Sequence, residues 1–466
     1  MTVAVLATAG LLAAACGGSS SSSGTSSSAP SGVLTIDNES GGTWTCDFNP
    51  FNLSYIGYSL GNVYEPLMFV DTLANAKVSP WLATSYAWSN GNKTLTFTIR
   101  KGVKFTNGDP MTPADVVYTF NLLKTHKTLD INSLWSALSS VTASGDNVVM
   151  QFKSVAVPNF YYIADQVGIV DQKVWSKIAN PVTYPDKNPV GTGAYKVSSS
   201  TCTPQNIKYT ANPHYWQPGL PKVGTVNYPS FLTNDTANTY LANGQAQWGS
   251  QFIPNIHAFY LSKSPNYHYW FPPVANVSMF INLTNPILKN AAVRQAMAYA
   301  IDRHKASLIG EYGYEPASNQ TGIVTPTFKS WLNQGLAKKV SYNGNESGGP
   351  APYYELRQEL YGPNSAPIGK TASSNWERYY NKKVDNLIKA YAATTSSAKQ
   401  HQIVDQLQAA MVRDVPIIPI TEGVDWYQYN TKSISGWVTK QNPYAKPAAY
   451  EVPDWGVMLL HLKPKG

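Results

Sequence analysis

Residues Lys104 to Lys124, KFTNGDPMTPADVVYTFNLLK, allow few local structures. Asn107 and Gly108 form a tight-turn pair, because both residue types tolerate the backbone angles such a turn needs. Thr112 is a helix N-cap, Pro113 suits the first helical position where its missing N–H costs nothing, and Asp115 falls three after the cap. Val116, Phe120 and Leu123 then recur on one helical face. The stretch therefore reads as strand end, turn and a capped amphipathic helix. The segments TLTFTIRKGVKF just before it and GVLTIDNESG near the start alternate apolar and polar residues as half-buried strands do.

With 43% hydrophobic and only 13% charged residues, the chain has a sizeable core. Aromatics are in excess, at 13 Trp, 30 Tyr and 14 Phe. The formal charge of +8 comes from basic residues scattered singly, with no Lys/Arg run of the kind that tracks phosphates, which argues against nucleic acid. Seven His show no paired spacing and no HExxH or CxxC occurs, so no metal or other cofactor is expected. No GxSxG elbow or phosphate-cradling loop appears either.

The start of the chain reads as a leader. The uncharged run Val3 to Ala15 is too short to span a bilayer but matches the apolar part of a signal peptide, so residues 1–15 are expected to be removed. Ala13, Ala14 and Ala15 before Cys16, with Gly17 after it, resemble the lipobox of bacterial lipoproteins, in which the cysteine carries the lipid. Leu12 stands one place early for that pattern, and no Lys or Arg precedes the apolar run. Residues 16–32 are then a lipidated Cys and a Ser/Gly tether with a reach of roughly 20 Å. The expected location is the outer face of the bacterial cell membrane. Apart from Cys16, the cysteines are Cys46 and Cys202, an even pair in an oxidising compartment, predicted to form a disulfide.

Beyond the tether the chain resembles family 5 solute-binding proteins, the extracytoplasmic receptors of peptide and nickel ABC importers. The stretch around Lys104–Lys124 carries the likeness, and five more landmarks follow the family's order: VYEPLM at Val63, NPVGTGAYKV at Asn188, ANPHYW at Ala211, NAAVRQAMAYAIDRHK at Asn290 and VRDVPIIPI at Val412. Two of them lie on amphipathic helices. Val293, Met297, Ala300 and Ile301 mark one face, and Ile403, Leu407, Ala410 and Met411 mark another before Pro416 stops the helix. Both stripes read as core.

The resemblance implies two α/β lobes of the periplasmic-binding-protein type with mixed sheets, closing on a ligand about a hinge. Lobe one would comprise residues 33–269 and 431–466, and lobe two residues 270–430. The crossings would lie near YWFPPVANVSMFINLT and PITEGVDWYQYN. Relatives place about a hundred residues where this chain has only LAKKVSYNGNESGGPAPYY, so lobe two is expected to be reduced, exposing sheet edges and apolar surface. The implied partners are a small-molecule ligand, an oligopeptide or oligosaccharide, and the permease subunits of an ABC importer, with the receptor working as a monomer and performing no catalysis.

Short peptides are the family's common cargo and the primary expectation. Peptide-binding relatives, however, place an aspartate for the α-amino group where this chain reads GGPAPYY, and the GExD common before the crossing reads GQAQW. Exchange of acids for neutral and aromatic groups suits β-linked oligosaccharides, whose apolar ring faces stack on Trp and Tyr. Candidate ligand contacts are Trp44, Trp248, Tyr353, Trp426 and Tyr427, with Asn49 and Gln251 as hydrogen-bonding groups. Trp88, Trp216 and Trp437 read as packing residues and Glu65 as a structural acid capping a turn. A secreted glycosidase is the competing class. It needs two carboxylates about 5 to 10 Å apart, and the aromatic-rich segments show no such pair. A truncated receptor that binds nothing is the third reading.

Overall fold

The computed structural model describes residues 30–38, 41–324, 328–339, 351–370, 372 and 374–465. Cys16, the leader, most of the tether and Gly348 to Pro350 lie outside the described residues.

Strand Ser31–Asp37 is the centre of an eight-stranded mixed sheet. It runs parallel to Val223–Pro229 on one side and to Trp248–Gly249 on the other. Beyond the first lie Asn206–Ala211 and Tyr195–Lys196, and beyond the second Gln428–Asn430 and Tyr267–Tyr269, all antiparallel to their neighbours. Leu34 to Asp37 are buried without alternation, as expected of a strand covered on both faces. Cys202, in a short strand at this sheet, is joined to Cys46 by a disulfide with a Cα–Cα distance of 5.8 Å.

A second, four-stranded antiparallel sheet runs in the order Ala83–Ser89, Thr94–Ile99, Asn147–Phe152, Leu138–Ser144. Helix Pro113–Thr125 packs on it through buried Val116, Phe120 and Leu123. Asp115 Oδ2 accepts from both the backbone N–H and the hydroxyl of Thr112, at 2.8 and 2.9 Å, closing the helix N-terminus. Asp115 Oδ1 accepts from Gln172 N at 3.1 Å and so ties the helix to the next segment.

The remaining body is mostly helical. The long helix Ser397–Asp414 buries Ile403, Leu407, Ala410 and Met411 against Leu356, Leu360, Val384 and Ile388. The helix Ala291–Ala300 differs from the sequence reading. Its buried residues are Arg294 and Ala298, whereas Val293 and Met297 are half-buried and Ala300 is exposed. The reason is electrostatic. The Arg294 guanidinium donates to the carbonyls of Asp414 and Val415, at the C-terminus of the long helix, and to those of Leu288 and Lys289. A cation there meets the negative end of the helix dipole and its unpaired carbonyls, which offsets the burial of the charge.

Two segments join the bodies, and they pair with each other. Pro273–Phe280 and Ile417–Val424 form an antiparallel ribbon, extended by Asp425 N to Pro272 O at 2.9 Å and Trp270 N to Tyr427 O at 3.1 Å. The exposed large apolar side chains Met279, Phe280, Ile287, Leu308 and Ile309 all lie on the helical body or its ribbon.

Candidate functional site

The two bodies meet around an aromatic cavity of about 450 Å³. One wall comes from the sheet body: Val70 and Val78 of a hairpin, Tyr86 and Trp88 of the strand Ala83–Ser89, and Phe160 and Tyr161 of the helix Asn159–Asp165. The other is the helical body, with Phe328, Trp331, Tyr354 and Tyr391. Thr72, Asn75, Ser330 and Gln400 supply polar groups, and among the described residues no charged side chain lines the cavity.

Each ring is held by local structure. Tyr354 lies in the first turn of the helix Tyr353–Leu360, and its hydroxyl crosses the interface to donate to Pro158 O at 2.7 Å. Its ring stands edge-on to Tyr161 and Tyr162, at 5.6 and 5.4 Å. Tyr391 is stacked on Tyr353 at 4.1 Å, Trp331 on His401 at 3.8 Å, and Tyr86 lies against Phe160 at 4.4 Å. These contacts fix the rings before any ligand arrives. Preorganised aromatic walls with a few polar groups are the usual make-up of a small-molecule site, and the volume lies in the usual range of several hundred Å³.

A second aromatic group sits where the connecting segments leave the sheet body. Trp426 packs edge-on to Phe252 at 5.3 Å and Phe271 at 4.9 Å, with Tyr314 6.3 Å away. Beside it Gln251 is buried. Its side-chain Oε1 accepts from Ser250 N at 3.1 Å. The Asp37 carboxyl, at the end of the central strand, is also buried, and burial pushes its pKa up to about 8 against the opposing pull of Gln251 and the Leu241 backbone.

Of the residues singled out from sequence, Trp426 and Gln251 lie at this junction. The others are packed elsewhere. Trp44 is buried in the sheet body, donating from Nε1 to Tyr228 O at 2.7 Å with its ring edge-on to Tyr58. Asn49 is fully buried, its amide bound to Pro181 O and Tyr184 O. Trp248 and Tyr427 are fully buried too, donating to Pro447 O and Val438 O. Tyr353 supports Tyr391 from inside the helical body. In each case the polar group has a protein partner and the ring has no open face, because packing in the core satisfies what a ligand would otherwise meet.

Trp88, read as packing, lines the cavity. Trp331 and Tyr391 were not singled out at all. Trp331 lies in the turn-rich segment PTFKSWLNQG, where a large ring outside any periodic element is the available signal. Tyr391 shares helical spacing with buried Val384 and Ile388 and so looks like core. Glu65 is a structural acid, although it caps no turn. Its carboxylate accepts from Trp81 Nε1, Tyr215 hydroxyl, Thr192 hydroxyl and Trp216 Nε1, at 2.6 to 2.9 Å. Burial raises its pKa to about 7, and these four donors oppose that rise.

Two bodies joined by a paired ribbon around an aromatic cavity define a two-lobed binding protein. Residues 77–348, more than half of the chain, match the model of the bacterial extracellular solute-binding proteins, family 5 middle domain, and the chain belongs to that family. The fold is similar to that of a periplasmic oligopeptide-binding protein from Thermotoga maritima, at a TM-score of 0.81 with 21% identity, covering 93% of this chain and 99% of that one. The same Thermotoga protein bound to mannohexaose gives 0.79, with 21% identity over 93% and 98% of the two chains. The oligopeptide-binding protein AppA from Bacillus subtilis, solved with a nonapeptide, gives 0.73 at 17% identity, covering 94% and 99%. By sequence, the chain is 26% identical over 282 residues to the glutathione-binding protein GsiB of Shigella boydii, a match covering 58% of this chain and 52% of that protein. The chain thus spans about half the length of the curated relatives it matches.

Proposed function

We propose that this chain is the extracytoplasmic receptor of an ABC importer, held at the membrane by a lipid on Cys16, and that its lobes close on a short, uncharged oligomer. The observation that carries the cargo class is the inter-lobe cavity, walled by Tyr86, Trp88, Trp331, Tyr354 and Tyr391 with no charged side chain among the described residues. A zwitterionic peptide buried there would lack ionic partners, and an unpaired buried ion costs several kcal/mol. A β-linked oligosaccharide carries no charge, and its ring faces shed water onto aromatic surfaces. The mannohexaose held by the Thermotoga neighbour supports this reading. Short peptides are the second reading, supported by the glutathione-binding relative and the nonapeptide held by AppA.

Transport asks nothing catalytic of the chain. Closure buries the solute, its extent set by how much better the closed form binds than the open one, and the closed form docks on the permease. The exposed apolar residues of the helical body support the further reading that this lobe is reduced.

The test is a thermal-shift series with di- to pentapeptides and cello-, xylo- and manno-oligosaccharides. A ligand at a hundred times its Kd stabilises by about 2.7 kcal/mol and raises the melting temperature. A rise with one sugar series and none with peptides is expected. A rise with peptides alone establishes the second reading, and no rise with any ligand overturns both.

A further inference from the structure

The central strand Ser31–Asp37 has two unlike ends. Asp37 lies beside the junction of the lobes, and Ser31 stands about 20 Å away at the other end of the sheet. There Ser31 N donates to Lys222 O at 2.9 Å, and Gly32 packs so closely on Pro464 that a β-carbon would come within 3.1 Å of its ring. Lys222 directly precedes the parallel strand Val223–Pro229, which starts at the same end. The strand Gln428–Asn430 runs antiparallel to Trp248–Gly249 and so delivers Thr431 and Lys432 there too. The short pair Ile434–Ser435 and Lys463–Pro464 completes this end, with Lys465 N bonded to Ser433 O at 2.8 Å and Lys465 Nζ to Thr431 O.

Lys222, Lys432, Lys463 and Lys465, well separated in sequence, are thus gathered by the fold. Lys222 is half-buried and the other three are exposed. No acid comes with them. The segments that build this end lie in stretches without Asp or Glu, residues 17–36, 187–234, 426–450 and 455–466. Among the described residues the ion pairs are made by Lys101, Lys173, Arg413 and Lys446, and none of the four lysines takes part in one. Like charges collected without a counter-charge repel one another, a small cost that an anionic partner removes.

We propose that this lysine-lined end of the sheet is a docking face for the anionic lipid surface of the membrane. This rests on the reading that Cys16 carries a lipid, which fixes where the membrane lies, but not on the identity of the cargo. Cys16 stands fourteen residues before Pro30, and a flexible Ser/Gly segment of that length reaches roughly 20 Å, so the anchor brings this end of the body to the headgroups. A lipid chain together with a basic patch holds a protein more firmly than the chain alone. Each lysine at an anionic bilayer strengthens partitioning roughly fivefold. Since the junction of the lobes lies at the far end of the central strand, a receptor resting on this face turns its hinge away from the lipid.

Vesicle sedimentation of the full chain carrying Cys16→Ser tests this, because that protein cannot take the lipid. Vesicles of phosphatidylcholine alone are compared with vesicles containing about one third phosphatidylglycerol, at low salt and at about 1 M, where the Debye length is about 3 Å. An apolar leader adds equally to both compositions, so the difference between them measures the charged face. The protein should sediment with the anionic vesicles at low salt and lose that preference at high salt. Lys222→Gln, Lys432→Gln, Lys463→Gln and Lys465→Gln together should weaken the binding by at least about fiftyfold. Lys382→Gln, Lys383→Gln, Lys389→Gln and Lys399→Gln, on exposed positions of the helical body, remove the same charge and should leave it within about twofold. Circular dichroism shows that both variants fold. Equal loss in the two variants reduces the binding to net charge and overturns the proposal, as does equal sedimentation with both kinds of vesicle. Neither result touches the anchor, which the mass of the Cys16 peptide from the native host decides, nor the cargo, which the thermal-shift series decides.

Discussion

Two tryptophans separate packing from recognition at the scale of single residues. Trp44 is 5% exposed, with its N–H bonded inside the sheet body, whereas Trp331 is half-buried, rests on His401 and turns towards the cavity. Trp44→Ala leaves a void and removes the indole donor from the Tyr228 carbonyl, which should cost about 3 to 5 kcal/mol of stability. Molecules that still fold should bind cargo with unchanged affinity. Trp331→Ala should do the opposite, lowering stability little and weakening binding about tenfold, ~1.4 kcal/mol. Chemical denaturation and titration calorimetry on the two variants check the pair. Equal loss of affinity in both would mean that the cavity is not where cargo binds. Nothing in the sequence around the two residues distinguishes them. Both follow polar, turn-prone stretches, and what differs is whether a distant segment covers the ring.

At the scale of elements, the sequence was most legible where the determining contacts are local. The cap Thr112, the first-turn Pro113 and Asp115 lie within four residues, and the structure puts a helix at Pro113–Thr125. Asp115 nevertheless does more than its spacing shows, since its second oxygen binds Gln172 N, 57 residues away. Asp115→Ala removes the acceptor of three hydrogen bonds and leaves the buried end of the helix open. At roughly 1 kcal/mol for each bond, the expected loss is about 2 to 3 kcal/mol. Asp115→Asn keeps one acceptor oxygen and should recover part of it. Urea denaturation of the three proteins measures the series, and a loss below about 0.5 kcal/mol for the alanine variant would leave the helix held by its apolar face alone. The face of Ala291–Ala300 illustrates the other case. Its apolar spacing pointed to Val293 and Met297, but Arg294 is buried because the end of a helix more than a hundred residues later needs a cation. Periodicity cannot register a partner that arrives from elsewhere in the chain.

Over the whole molecule, the same non-local logic produces a store of buried acids. Burial raises the pKa of Glu65, Asp186, Glu315 and Asp454 to about 7, of Asp37 and Glu377 to about 8, and of Glu359 to about 9. Glu359 lies in the field of Glu377 inside the helical body, and the backbone N–H of Glu377 itself is the one donor that opposes the rise at Glu377. The unfolded chain releases these protons near the ordinary carboxylate value of about 4. Between there and pH 7 to 9 the native state thus binds more protons than the unfolded one, and stability must fall as pH rises. The slope is about 1.4 kcal/mol per pH unit for each proton retained, and it levels off above the native pKa values. Stability should therefore be greatest on the mildly acid side and decline steadily from pH 5 to pH 8. Glu377→Gln removes one titrating member of the pair without changing its shape, so it should gain stability relative to wild type at pH 8.5 and little at pH 5. Denaturant midpoints across that range measure both slopes. A wild-type curve that rises between pH 5 and 8 would mean that these carboxyls are ionised in the native protein, the donors around them outweighing their burial.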